Sequence, residues 1–247
     1  MKWYIRLFGV LTLERDTLVI NRFRTAKTGW LVAYLALTPP HRFSREFLAD
    51  LLWGDLAPDR ARHSLNLALS WLRNALDMPD LPAGALLQTN RTSVGLNPAH
   101  FTTDVMQFEQ AVMAAQGSED ETTGRPLLER AVALYRGECL AGCYEPWAVE
   151  AAAHYHAACL RTLGRLASLS DHDAQLHWLH RILHLEPLDW ASTEQLVRAY
   201  LRKGQMRLAR QVCEQYELHW RRLHGSAPPP HLEILKSECA APPPSTP

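Results

Sequence analysis

The chain has 247 residues, of which 47% are hydrophobic, and its 26 Lys+Arg balance 26 Asp+Glu for a formal net charge of zero. That is enough apolar material for one large or two ordinary domains with cores of their own. The longest apolar run, GWLVAYLAL, is far shorter than the roughly 20 residues of a membrane span. The opening MKWYIRLFGVL turns polar too early for a signal peptide and lacks a small-residue cleavage site, so a cytoplasmic protein with no membrane association is expected.

The first elements are β-like. WYIRLFGVLTLERDTLVI alternates apolar and polar residues and reads as a hairpin or small antiparallel sheet, with Glu14, Arg15 and Asp16 as its turn. TAKTGWLVAYLALTPPHRF follows, a helix with Trp30, Leu31, Tyr34, Leu35 and Leu37 on one face, stopped by Pro39 and Pro40. Ser44 opens a second short helix, SREFLADLLWGD, which Gly54 ends, and Pro58 introduces a third whose body, RARHSLNLALSWLRNAL, spans residues 60–76. Two short β-like runs, 86–89 and 93–96, flank Asn90, Arg91 and Thr92. Sheet, three helices and β-hairpin in that order make a winged helix-turn-helix of residues 1–102.

Beyond residue 103 the strand signals vanish and helical segments follow one another, the stretch GSEDETTGRP reading as a linker between two of them. A shift of 34 residues aligns Leu163, Leu166 and Ala167 with Val197, Tyr200 and Leu201, and Ile182 with Tyr216. A 34-residue helix-turn-helix period is the tetratricopeptide pattern, so residues 103–236 are expected to form a helical, tetratricopeptide-like domain. Residues 237–247, ending AAPPPSTP, read as a disordered tail. The fold class is therefore mainly α with a small β component.

The third helix carries the candidate site. At 100° per residue, Ala61, Leu65, Ala68, Leu69, Leu72 and Leu76 fall within about 60° of one line and form its inner stripe. Arg62 and Arg73 flank that stripe, while His63, Asn66, Leu67, Ser70, Trp71 and Asn74 cover the outer face. Asn66 and Asn74 offer a donor and an acceptor to an adenine edge, the arginines suit guanine or phosphate, and Leu67 suits a thymine methyl. Leu67 and Trp71, four residues apart, fit better as interface residues than as base readers. Arg91 at the hairpin tip, Ser44 and Arg45 at the start of the second helix, and Lys27 at the start of the first complete the candidate DNA contacts. The charge distribution agrees, since residues 1–105 hold 12 basic against 9 acidic side chains and residues 106–247 hold 14 against 17.

Other chemistry is thinly supported. Five cysteines, at 139, 143, 159, 213 and 239, lack CxxC pairing, so reduced packed thiols are expected rather than disulfides or a structural zinc site. His177, His180 and His184 share a helix face but have no carboxylate or thiolate at ligand spacing, and a solvated or interfacial role fits them better than metal binding. No phosphate loop, nucleophile elbow or HExxH motif occurs; neither an enzyme, a metal nor a cofactor is expected.

The segments IRLFG, FRTAKTGWLVAYLAL, REFLADLLWGD, ARHSLNLALSWLRNAL, VGLNP, TDVMQFE, LYRGECLAG and LHLEPLD occur in one order over roughly residues 3–236. In that order they resemble the bacterial transcriptional activator domain family, similar to the Streptomyces antibiotic regulatory proteins. The resemblance implies a regulator that binds double-stranded DNA, activates transcription through RNA polymerase, and associates with itself or a partner protein through the helical domain. No receiver domain is read before the winged helix, so control by aspartate phosphorylation within the chain is not expected. The chain departs from the family pattern where Asn66, Leu67, Trp71 and Asn74 stand in place of further basic or amide residues. That departure implies modest intrinsic affinity, raised by dimerisation or a partner; an adaptor that has lost DNA binding and docks proteins through Leu67 and Trp71 is the alternative.

Overall fold

The computed structural model describes residues 2–78, 80, 82–118 and 121–240. Strand β1 (Trp3–Arg6) pairs antiparallel with β2 (Thr12–Arg15), and β2 pairs antiparallel with β3 (Leu18–Ile20). Trp3 and Ile5 are buried while Tyr4 and Arg6 are partly exposed, the alternation of a sheet covered on one face. The turn expected at Glu14, Arg15 and Asp16 falls later: the strand runs through Arg15, and the chain reverses at Asp16, whose φ is 54°. Two ion pairs hold the strand that far. Glu14 meets Arg6 at 2.7 Å across the ladder, and the fully buried Arg15 side chain reaches Asp80.

Helix α1 (Ala26–Leu37) begins on Thr25, whose Oγ1 accepts the Thr28 N–H at 3.2 Å. Gly29 is required there, because a Cβ would stand 2.8 Å from the Phe23 ring. Strand β4 (Phe43–Ser44), α2 (Arg45–Trp53), α3 (Pro58–Leu76), β5 (Leu87–Thr89) and β6 (Ser93–Leu96) follow, with β4 and β5 flanking β6 in a second, antiparallel sheet. Pro58 occupies the first turn of α3, where its missing N–H costs nothing. The buried residues of α3 are Ala61, Leu65, Ala68, Leu69, Leu72 and Leu76, the inner stripe read from the sequence, and they pack α3 on α1, α2 and β5.

Strand β7 (Phe101–Thr103) then lies parallel to β1 and completes the order β3-β2-β1-β7. The boundary expected after residue 102 thus falls inside a strand. Helix α4 (Asp104–Gln116) starts at once, and the buried Asp104 carboxylate accepts N–H bonds from Leu7 at 2.8 Å and Phe8 at 3.0 Å, tying the helix to the end of β1. Burial pushes the Asp104 carboxyl above its ordinary range, against the pull of these N–H donors.

The remaining elements are helices: α5 (Glu121–Leu134), α6 (Pro146–Ser168), α7 (His172–Leu185), α8 (Trp190–Arg202), α9 (Met206–His224) and α10 (Pro230–Ala240). Helix α5 starts inside the expected linker, upstream of Pro126, where Gly124 and Leu128 are buried one turn apart and give the additional turn a packed face. Helices α7, α8, α9 and α10 pack in succession. The ends of α6 and α8, at Ser168 and Arg202, are 34 residues apart, as are the starts of α7 and α9, at His172 and Met206. Helix α10 replaces the start of the expected tail: it carries ordered chain past residue 236 and buries Leu232, Leu235 and Cys239 at helical spacing. Of the expected tail, residues 241–247 lie outside the described residues.

Contacts gather Met1–Gly117 and Arg130–Ala157 into one compact unit, and Ser118–Glu129 and Ala158–Pro247 into a second, with α5 and α6 contributing residues to both. Among the described residues no helix is long and apolar enough to cross a membrane.

Candidate nucleic-acid interface

Because α3 turns its apolar stripe inward, Arg62, His63, Asn66, Leu67, Ser70, Arg73 and Asn74 are all left exposed on its outer side. Trp71 is different. It is only partly exposed, and its ring packs against Phe23 in the segment before α1, with centroids 5.9 Å apart. The two apolar residues of the outer face are therefore in unlike settings, since Leu67 keeps 40% of its surface exposed.

The β5–β6 hairpin is the wing. The Asn90 Oδ1 accepts N–H bonds from Thr92 at 2.9 Å and Ser93 at 2.7 Å, closing a short turn whose exposed tip is Arg91. Three further arginines are tied to this hairpin. Arg73 donates to the Thr89 hydroxyl. Arg45 donates to the Asn90 carbonyl at 3.3 Å and also to Asn66 Oδ1 on α3. Arg42 donates to Gln88 Oε1 at 3.0 Å and to Ser93 Oγ at 3.2 Å. Arg42 and Arg73 face a shared groove of about 520 Å³, which Asp77, Gln88 and Thr89 also line.

Arg42 was not singled out in the sequence. Its place depends on β4, a strand of two residues, and on Gly95, where a Cβ would come within 3.0 Å of the Arg42 side chain and the His41 carbonyl. A basic residue beside such a short strand leaves no periodic signal. Among the described residues, Arg42, Arg45, Arg73 and Arg91 make no ion pair with a carboxylate, whereas Arg62 pairs with Asp59 at 2.9 Å and Lys27 with Asp55 at 3.1 Å. Lys27 holds the Asp55 carboxyl below its ordinary range. The Arg62 pair is solvent-exposed and the Lys27 pair partly so, a setting in which such contacts are weak and readily exchanged for a phosphate. Ser44 has its oxygen engaged as the α2 cap, accepting the Phe47 N–H at 3.0 Å.

The other clusters noted in the sequence look different in three dimensions. His180 Nε2 lies 2.6 Å from the Tyr200 hydroxyl, and partial desolvation together with the neighbouring His177 lowers its pKa, although His177, His180 and His184 all keep exposed surface. All five cysteines are free and buried. Burial pushes the Cys139 thiol up to about 12, far from the thiolate that redox chemistry requires.

The described elements make a winged helix followed by helices that repeat at 34 residues. The chain belongs to the bacterial transcriptional activator domain family, whose model matches residues 103–238. Its fold is similar to that of Mycobacterium tuberculosis EmbR, a structure solved in complex with a low affinity phosphopeptide: the two share 22% identity at a TM-score of 0.64, over 97% of this chain and 65% of that one. The chain thus spans about 65% of the length of the protein it matches. No protein with a curated description matches it by sequence.

Proposed function

We propose that the chain is a cytoplasmic, sequence-specific regulator that binds double-stranded DNA and activates transcription. In this reading residues 1–102 form the DNA-binding part, α3 enters the major groove, and Arg91 lies on the sugar-phosphate backbone. Residues 103–236 supply contacts to a second copy or to a partner protein, with RNA polymerase the partner that the family implies.

One observation carries the reading: Arg73 on α3, Arg45 hydrogen-bonded to Asn66 of α3, and Arg42 and Arg91 at the β5–β6 hairpin make, among the described residues, no ion pair with a carboxylate. Cations free of ion pairs beside a polar helix face are what a polyanion needs. Leu67, exposed on the same face, favours the second reading of a protein-docking adaptor.

Binding to genomic DNA fragments over a salt series tests the proposal. About three phosphate contacts, from Arg42, Arg73 and Arg91, predict a loss of roughly fortyfold in affinity between about 50 and 200 mM salt, with certain fragments retained over others. Absence of binding at the lowest salt overturns the proposal in favour of the adaptor.

A further inference from the structure

We propose that Arg45 fixes the Asn66 carboxamide so that it reads guanine as a pure hydrogen-bond donor; this rests on α3 entering the major groove. Asn66 stands on the exposed face of α3, and the guanidinium of Arg45, the first residue of α2, donates to its Oδ1. A guanidinium has only donors, so the carboxamide atom that meets it is the oxygen. Arg45 is held in turn by the wing: its Nη1 donates to the Asn90 carbonyl at 3.3 Å, and its backbone N–H donates to the Thr92 carbonyl at 3.0 Å. The guanidinium is therefore braced between the recognition helix and the wing.

This contact changes what Asn66 offers a base. An unrestrained asparagine presents one donor and one acceptor, which match the N6 and N7 groups of adenine. With its oxygen drawn to the guanidinium, so that the second lone pair of Oδ1 also lies beside a cation, Asn66 is left to offer a base its NH2 group, which carries two donors. In the major groove guanine presents two acceptors, O6 and N7; thymine presents one, adenine one beside a donor, and cytosine a donor. The Arg45 and Asn66 pair thus selects guanine and discriminates most strongly against cytosine. Arg45 acts here as a positioning residue.

The test is selection of bound sites from random double-stranded DNA by the full chain in four forms: unaltered, Asn66→Ala, Arg45→Met and Asn66→Asp. Thermal melting of each form controls for folding, and Met retains the packing of the arginine stem. The unaltered chain is expected to require guanine at one position, and Asn66→Ala to lose about tenfold discrimination there. Arg45→Met should move that same position toward adenine, because the freed carboxamide regains its acceptor, while the other positions keep their preferences. Asn66→Asp, with a carboxylate facing the groove, should move it toward cytosine.

An Arg45→Met chain that binds every sequence more weakly by one factor, with its base preferences intact, would make Arg45 a phosphate contact and overturn the inference. So would an Asn66→Ala chain with no altered position, or an unaltered chain that prefers adenine at the position Asn66 reads. If the unaltered, folded chain enriches no sequence at all, the DNA-binding reading itself fails and the inference falls with it.

Discussion

The Trp71 ring packs on Phe23 with centroids 5.9 Å apart and planes inclined at 59°, so the largest apolar side chain on the outer half of α3 is spent inside its own unit. Phe23 is pinned from the other side by α1, where only the bare Gly29 leaves room for its ring. Trp71→Ala should therefore loosen α3 against the segment before α1 and cost about 1–3 kcal/mol of stability, read as a lower melting temperature. Sedimentation should stay unchanged. A changed sedimentation coefficient with an unaltered melt would instead place Trp71 in a contact between molecules, as its spacing from Leu67 first suggests.

That contrast shows how far the sequence carries. The helical period assigns all six buried residues of α3, because a stripe recurring every three or four residues has one geometric solution. The same period cannot say what stands opposite the outer face: Phe23 and Trp71 are far apart in the chain, and only the fold joins them. Strand β7 escapes notice because three residues are too few to show alternation, and it is identified by its pairing with β1. Helix α10 hides behind the proline run at residues 228–230, which reads as a stop but places Pro230 in the first turn of a new helix. Arg45 and Asn66 are each legible as polar residues in a suggestive place, whereas their hydrogen bond is a property of the folded chain.

The arginines of the wing differ from Arg62 in one respect that binding measurements should register. Arg42 and Arg73 donate only to neutral oxygens, so each would bring a full positive charge to a bound polyanion, whereas Arg62 shares its charge with Asp59 at 2.9 Å. Arg42→Ala should weaken binding to all sequences alike and lower the slope of log affinity against log salt by about one. Arg73→Ala should cost about 1–3 kcal/mol, and Arg62→Ala should have the smallest effect of the three. Fluorescence anisotropy with one duplex at several salt concentrations measures all of them. Equal effects from Arg42 and Arg62 would show that carboxylate pairing does not set the ranking.

The thiols should be silent in the native protein. All five cysteines are buried, and burial raises Cys139 and Cys213 to about 12 and Cys159 to about 11, so almost no thiolate exists at neutral pH. An aromatic disulfide reagent should titrate five thiols in denaturant and essentially none, on the timescale of minutes, in buffer. Rapid labelling of Cys139 or Cys143 in the folded chain would contradict this packing and reopen a redox role for the segment between α5 and α6.

A pH effect on stability should arise in the helical repeats. His180 Nε2 lies 2.6 Å from the Tyr200 hydroxyl and links α7 to α8. Partial desolvation, and then the neighbouring His177, hold its pKa below the ordinary 6.5, so the unfolded chain takes up the proton more readily than the folded one. The contribution of His180 to stability is accordingly complete above 6.5 and is lost as the pH falls through its lowered folded-state value. His180→Gln keeps a polar partner for Tyr200 and removes the titration. Urea unfolding between about pH 7.5 and 5 should therefore show the midpoint of the unaltered chain falling more steeply with acid than that of the variant. Parallel curves would mean that the acid sensitivity of the repeats lies in other groups.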